Sequence, residues 1–163
     1  MSWVKTRSSV YLISLLFGLL LQFIVLPDAL TLARPMWIPL LLVGWTLNAP
    51  QLPNLLMALL LGLCMDVMLN CPLGQHALGL LVLVYIVARL RQSLVVYPRW
   101  QITVALAPLW AGYALLMAVI DELAHHLATP SLRWWPLLPT TLLWPVIDVW
   151  LTSLDHRRPA DTE

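Results

Sequence analysis

A chain of 163 residues that is 61% hydrophobic and only 10% charged lies outside the composition of soluble domains, which are about 45–50% apolar and about 25% charged. A soluble domain of this size has too much surface for its volume to hide so much apolar material, so lipid is the expected solvent. The net charge of +1 supplies no field to recruit nucleic acid, and no basic patch stands out.

A bilayer-spanning helix needs about 20 apolar residues. In chain order the apolar runs predict six spans, at 9–26, 35–48, 52–69, 73–90, 100–120 and 135–154. The first follows Lys5 and Arg7 in the manner of a signal peptide, but its run of about 18 residues exceeds the roughly 7–15 of a signal core. It reads as an uncleaved span. The second is short, about 14 residues or roughly 21 Å. Pro50 and Pro53 then stop one helix and open the next. Short loops make sequence neighbours into spatial neighbours and leave no room for a soluble domain, so the whole chain reads as one membrane domain. Pro108, Pro139 and Pro145 fall inside spans five and six, where each removes a backbone donor and is expected to kink its helix.

Charge sets the orientation. Under a six-span reading Lys5, Arg7, Arg89, Arg91, Arg99, Arg157 and Arg158 share one side, and only Arg34 and Arg133 fall on the other. The positive-inside rule makes the first side cytoplasmic, with both termini on it. A re-entrant hairpin of spans two and three would leave those seven together as well. Six full crossings are preferred because lipid-exposed irregular backbone is not tolerated at depth. Trp134 and Trp135 mark the outer boundary of span six, and Tyr97 and Trp100 the inner boundary of span five.

Few polar residues remain to carry chemistry. Asp66 sits one turn inside the outer end of span three, with Gly62 one turn deeper on the same face. The glycine lets another backbone come close. The chain then reverses through Pro72, Leu73 and Gly74, and the first amides of span four are unpaired and partly positive. Asp66 is therefore read as fixing the turn; a proton or cation site shared with His76 is the functional alternative. Asp148, in span six, is expected to pair with Arg89 or Arg91, or else to contact a partner. Cys64 and Cys71 read as small apolar residues rather than a disulfide. Asp121, Glu122, His125 and His126 cluster where span five leaves the bilayer. Their spacing is not that of a zinc site, and a solvated helix end explains them. No catalytic machinery, cofactor site or metal site is visible.

Three blocks carry a resemblance: residues 26–50 with Arg34 and Pro35, residues 61–79 with Gly62, Asp66, Leu73 and Gly74, and residues 142–158 with Trp144 and Pro145. Together they resemble the family of the rod shape-determining protein MreD. The resemblance implies a multi-pass inner-membrane protein of the bacterial elongation machinery. It would be a non-enzymatic scaffold that binds MreC and connects, through it, with MreB filaments and peptidoglycan synthases. It also implies a fold similar to the substrate-binding components of energy-coupling-factor transporters, which supplies the rival reading.

The scaffold reading needs helix faces of small residues. Ala58 with Gly62, and Gly79 with His76, are the candidate faces for a partner's span. The rival, a solute-binding membrane component, needs a cavity with convergent polar groups, and Asp66, Asn70, Gln75 and His76 are its candidates.

Overall fold

The computed structural model describes residues 2–23, 35–52, 54–94, 96–125 and 136–155. Arg34, Arg133, Trp134, Trp135, Arg157, Arg158 and His126 lie outside that set, as do the side chains of Lys5, Arg7, Asp121 and His125. Among the described residues the chain is all helical. The helices are α1 (Ser2–Phe23), α2 (Trp37–Asn48), α3 (Asn54–Met68), α4 (Gln75–Leu94), α5 (Arg99–His125) and α6 (Leu137–Asp155). Two of them contain segments long and apolar enough by themselves to cross a membrane, Gln75–Leu94 and Arg99–Ile120; the described apolar parts of the others are shorter.

Prolines set several helix boundaries. Pro50 biases Ala49 away from the helical region, and Ala49 has φ −138° and ends α2. Pro98 accepts the first amides of α5, from Gln101 at 2.9 Å and Ile102 at 3.2 Å. Pro139 does not interrupt α6 as its position in the predicted span suggested. It lies in the first turn, where an amide has no intrahelical acceptor to lose. Pro108 and Pro145 do fall in helix interiors.

Helix α2 is the centre of the structure. Every residue from Ile38 to Leu47 is buried, as suits a helix that is apolar on all sides. Around it lie α1, α4, α6 and, more lightly, α3, while α5 bridges α4 and α6 and α3 pairs most closely with α4. Against α1, Trp45 donates its indole N–H to Ser14 at 2.9 Å, and its ring meets Tyr11 edge-on with centroids 5.3 Å apart. Gly44 lies against α6, where an added Cβ would overlap the tip of Leu151 and touch Ile147 and Trp144. Trp144 in turn stacks obliquely on Trp110 of α5, with centroids 6.4 Å apart.

These contacts fix the helix directions. Gln22 near the end of α1 accepts from the Trp37 amide, and Thr140 near the start of α6 accepts from the Met36 amide at 3.0 Å. One end of the structure therefore gathers the end of α1, the start of α2, the α3–α4 turn and the start of α6. The opposite end gathers the first residues of α1 and the last of α6. The exterior is apolar along its length: Ile13, Phe17, Leu56, Val104, Leu115, Leu142 and Val146 are among many large side chains left exposed. Patches of this extent are unfavourable in water.

Replacing Trp110, which is fully buried, by alanine is expected to cost about 3–5 kcal/mol. The same change at Gly112, whose added Cβ would meet nothing, is expected to stabilise by roughly 0.5–1 kcal/mol. Unfolding in mild detergent measures both.

Candidate functional site

The most connected polar group in the interior is Asp66. It is completely buried, yet it stands one turn from the end of α3, where backbone donors become available. Three residues build that end. Asn70 adopts φ 52°, the left-handed conformation that asparagine tolerates better than most residues. This lets Cys71 donate to Asp66 O at 3.0 Å and Asn70 to Val67 O at 3.4 Å, which is the Schellman ending of a helix. Pro72 then begins a β-turn closed by the Gln75 amide on Pro72 O at 3.2 Å. Gly74 fills the third position of that turn with φ 101°, where a positive φ is required in type II. An added Cβ at Gly74 would meet open space; backbone conformation, and not crowding, calls for glycine there.

The turn delivers the first amides of α4 to the Asp66 carboxylate. Gly74 N–H donates to Oδ2 at 2.8 Å, and His76 N–H donates to Oδ1 at 2.7 Å. The imidazole adds a further contact, Nδ1 to Oδ1 at 2.9 Å. A carboxylate only accepts, so Nδ1 carries the hydrogen in this bond. Asp66 thus caps α4 from another helix and places negative charge at its positive end.

Gly62 makes the approach possible. A Cβ at this position would overlap the backbone of Ala77 in α4. Backbone cannot yield in the way a flexible side chain can, which distinguishes Gly62 from Gly18 and Gly44, each overlapped by the tip of a leucine. Ala58 is buried in the same helix, and Gly79 lies against Met117 and Tyr113 of α5. The small-residue faces proposed for a partner's span are therefore taken up inside the chain. Gly62 faces α4, and Gly79 faces α5. Neither is presented outward, because the short α3–α4 turn brings α4 back onto α3 before anything else can occupy that face.

The remaining candidates separate. Pro35 is buried ahead of α2, Trp144 is core, and Pro145, Pro72 and Leu73 are exposed. Asp148 pairs with Arg99 (Nε to Oδ2, 3.7 Å), not with Arg89 or Arg91. The reason is topological: α6 packs on α2 and α5, so the start of α5 reaches Asp148 first. Arg91 instead donates Nε–H to Leu47 O at 2.8 Å, satisfying the end of α2, and Arg89 is exposed. Cys64 and Cys71 form no disulfide. Among the described residues no group of three or more His, Cys, Asp or Glu is placed to hold a metal.

Asp66, Asn70, Gln75 and His76 do not converge on an open site. Asn70 is exposed, Gln75 is buried, and Asp66 and His76 are bonded to one another. A cavity of about 220 Å³ lies at the other end of α3 and α4, lined by Thr46, Leu52, Asn54, Leu56, Val84 and Arg91 among others.

Among the described residues the chain is an all-helical, multi-helix protein with an apolar exterior, whose polar contacts cap helices and close turns. The family model described as rod shape-determining protein MreD matches residues 5–154. A relative in Haemophilus influenzae, the rod shape-determining protein MreD, is 30% identical over 122 residues, covering 73% of this chain and 74% of the relative. No solved structure matches. The chain belongs to the rod shape-determining protein MreD family.

Asp66→Ala leaves the Gly74 and His76 amides without their acceptor, at about 1–3 kcal/mol each, and is expected to lower the folded fraction sharply. Asp66→Asn keeps one acceptor and should retain part of it. Gly62→Ala should be more damaging than Gly44→Ala. Arg99 is half exposed, so Arg99→Ala should change stability by no more than about 1 kcal/mol. Quantifying the folded, detergent-extracted fraction of each variant tests this order.

Proposed function

We propose that the protein is a non-enzymatic scaffold of the cell-elongation machinery, embedded in the bacterial inner membrane by six spans. On this reading it binds MreC and through it couples MreB filaments to lateral peptidoglycan synthesis. The observation that carries the proposal is the family match, which runs through all six helices. The apolar exterior supports the membrane setting, since lipid is the medium in which such a surface is stable.

The distribution of cations supports cytoplasmic termini. Arg91 and Arg99 lie at the same end as the first residues of α1 and the last of α6, and the positive-inside rule assigns such an end to the cytoplasm. The solute-binding alternative has less behind it. Of its four candidate side chains, Asp66 and His76 bond to one another, Gln75 is buried and Asn70 is exposed, and the cavity of about 220 Å³ is below the roughly 300–1,000 Å³ of sites for drug-sized ligands.

Depletion is expected to turn rod-shaped cells into spheres, and purification from native membranes in mild detergent is expected to bring down MreC. Cells that remain rods, or a stoichiometric bound vitamin in place of MreC, would refute the scaffold assignment.

A further inference from the structure

Pro108 opens the hydrogen bonding of α5 on a side that the neighbouring helices leave bare. Helix α5 packs on α4 and α6, meeting α4 through Tyr113 and Met117 and α6 through Trp110. Its other face, Val104, Ala105, Pro108, Gly112, Leu115 and Val119, is exposed, and these residues recur at the spacing that lines one side of a helix. Proline has no amide hydrogen, so the carbonyl four residues earlier, Val104 O, loses its helical donor. A helix carbonyl points toward the residue one turn on. Val104 is 64% exposed and Pro108 is exposed too, which puts the freed carbonyl on the open side. The helix runs through Pro108 without a 3₁₀ or π turn to supply another amide. The neighbouring hydroxyl, that of Thr103, is spent on Arg99 O at 3.0 Å.

In the membrane setting proposed above, Pro108 stands about 14 Å along the helix from Arg99, near the middle of a hydrocarbon core about 30 Å thick. Water does not serve a carbonyl at that depth, and an unsatisfied backbone group facing lipid is costly. A lipid tail covers Val104 and Leu115 well enough, but it has no donor for Val104 O. Gly112, one turn beyond Pro108 on the same face, is a second feature that packing within the chain does not explain. A Cβ there would meet nothing within 4 Å, and Gly112 has no positive φ. Glycine weakens a helix interior, so its place here calls for something outside the chain to come close. Gly62 and Gly79 are already filled by α4 and α5; Gly112 is not.

An occupant must therefore be apolar, approach Gly112 at backbone distance and bring a hydrogen-bond donor to Val104 O. A second membrane helix does all three, since small residues let two backbones approach and hydroxyl or amide side chains bond across the contact. We infer that the outward face of α5 seats the single membrane span of a partner protein. That span places small residues against Gly112 and a hydroxyl or amide donor a turn or two nearer the cytoplasmic end, level with Val104 O. The inference rests on the scaffold reading, in which the partner is MreC, and it names the face of this chain that MreC meets.

Photocrosslinking in native membranes tests it, with the full chain carrying a benzophenone amino acid at one position at a time. Val104 and Leu115 are expected to capture MreC. Leu16 of α1 and Leu56 of α3, exposed to a similar degree, are not. Gly112→Leu should cut the MreC that co-purifies about ten-fold, the effect of losing a hot-spot contact. It should leave the folded, detergent-extracted fraction of the chain itself unchanged, which a purely structural role for Gly112 would not. Pro108→Ala returns a donor to Val104 O and should also weaken retention of MreC. Capture of MreC at Leu16 or Leu56 but not at Val104 or Leu115 would overturn the inference and leave the scaffold reading standing. So would a folded Gly112→Leu that holds MreC as wild type does; if that variant fails to fold, the crosslinks alone decide. Absence of MreC from every crosslink and from the purified wild-type complex would sink both readings together.

Discussion

The contact between α3 and α4 is the constraint from which the rest of the arrangement follows. Two helices come together at backbone distance because Gly62 has no side chain, and a buried carboxylate from one fastens the first turn of the other. In an apolar medium helices gain little from hydrophobicity when they associate, and close packing and polar bonds supply the attraction. A buried Asp66 without the Gly74 and His76 amides would be an unpaired charge; those amides without Asp66 would be orphaned donors. Each half of the contact makes the other tolerable. Once α4 is placed, α2 can be enclosed against it, and α5 follows along the other side of α4 through Gly79.

The two ends of the helices handle polarity differently. At the Asp66 end, the buried carboxylate is satisfied by backbone and imidazole within a few residues of the turn, leaving a closed structure suited to holding helices in register. At the opposite end, Arg91 secures α2 through Leu47, and Arg99 meets Asp148 at the surface. There Asn54 retains an unpaired acceptor beside an open cavity.

Several features were readable before any packing was known. The order of helices followed from apolar runs broken by prolines, because Pro50 and Pro98 act on the chain locally, whatever surrounds them. The bonding of Asp66 was also readable, since a carboxylate one turn before a tight reversal has few donors in reach other than the amides that follow it. The left-handed Asn70 was missed, although an asparagine closely followed by Pro72 is a recognisable ending for a helix. Pro139 was misread because a shift of two residues in the start of α6 turns an interior proline into one in the first turn. Asp148 was assigned the wrong arginine because pairing across helices depends on which helices touch, and the linear pattern of charges carries no such information.

Composition and local chemistry, then, determined the apolar character of the chain, the six helices among the described residues and the manner in which Asp66 closes a turn. These depend on interactions between residues near one another in sequence, or on totals over the whole chain. Only the tertiary structure decided that α2 is enclosed, that Gly62 and Gly79 serve internal contacts, and that Arg91 and Asn54 face one cavity. Those outcomes depend on which helix surfaces meet, and many apolar faces of similar composition compete for the same neighbours until shape at a few glycines and buried polar groups settles the choice.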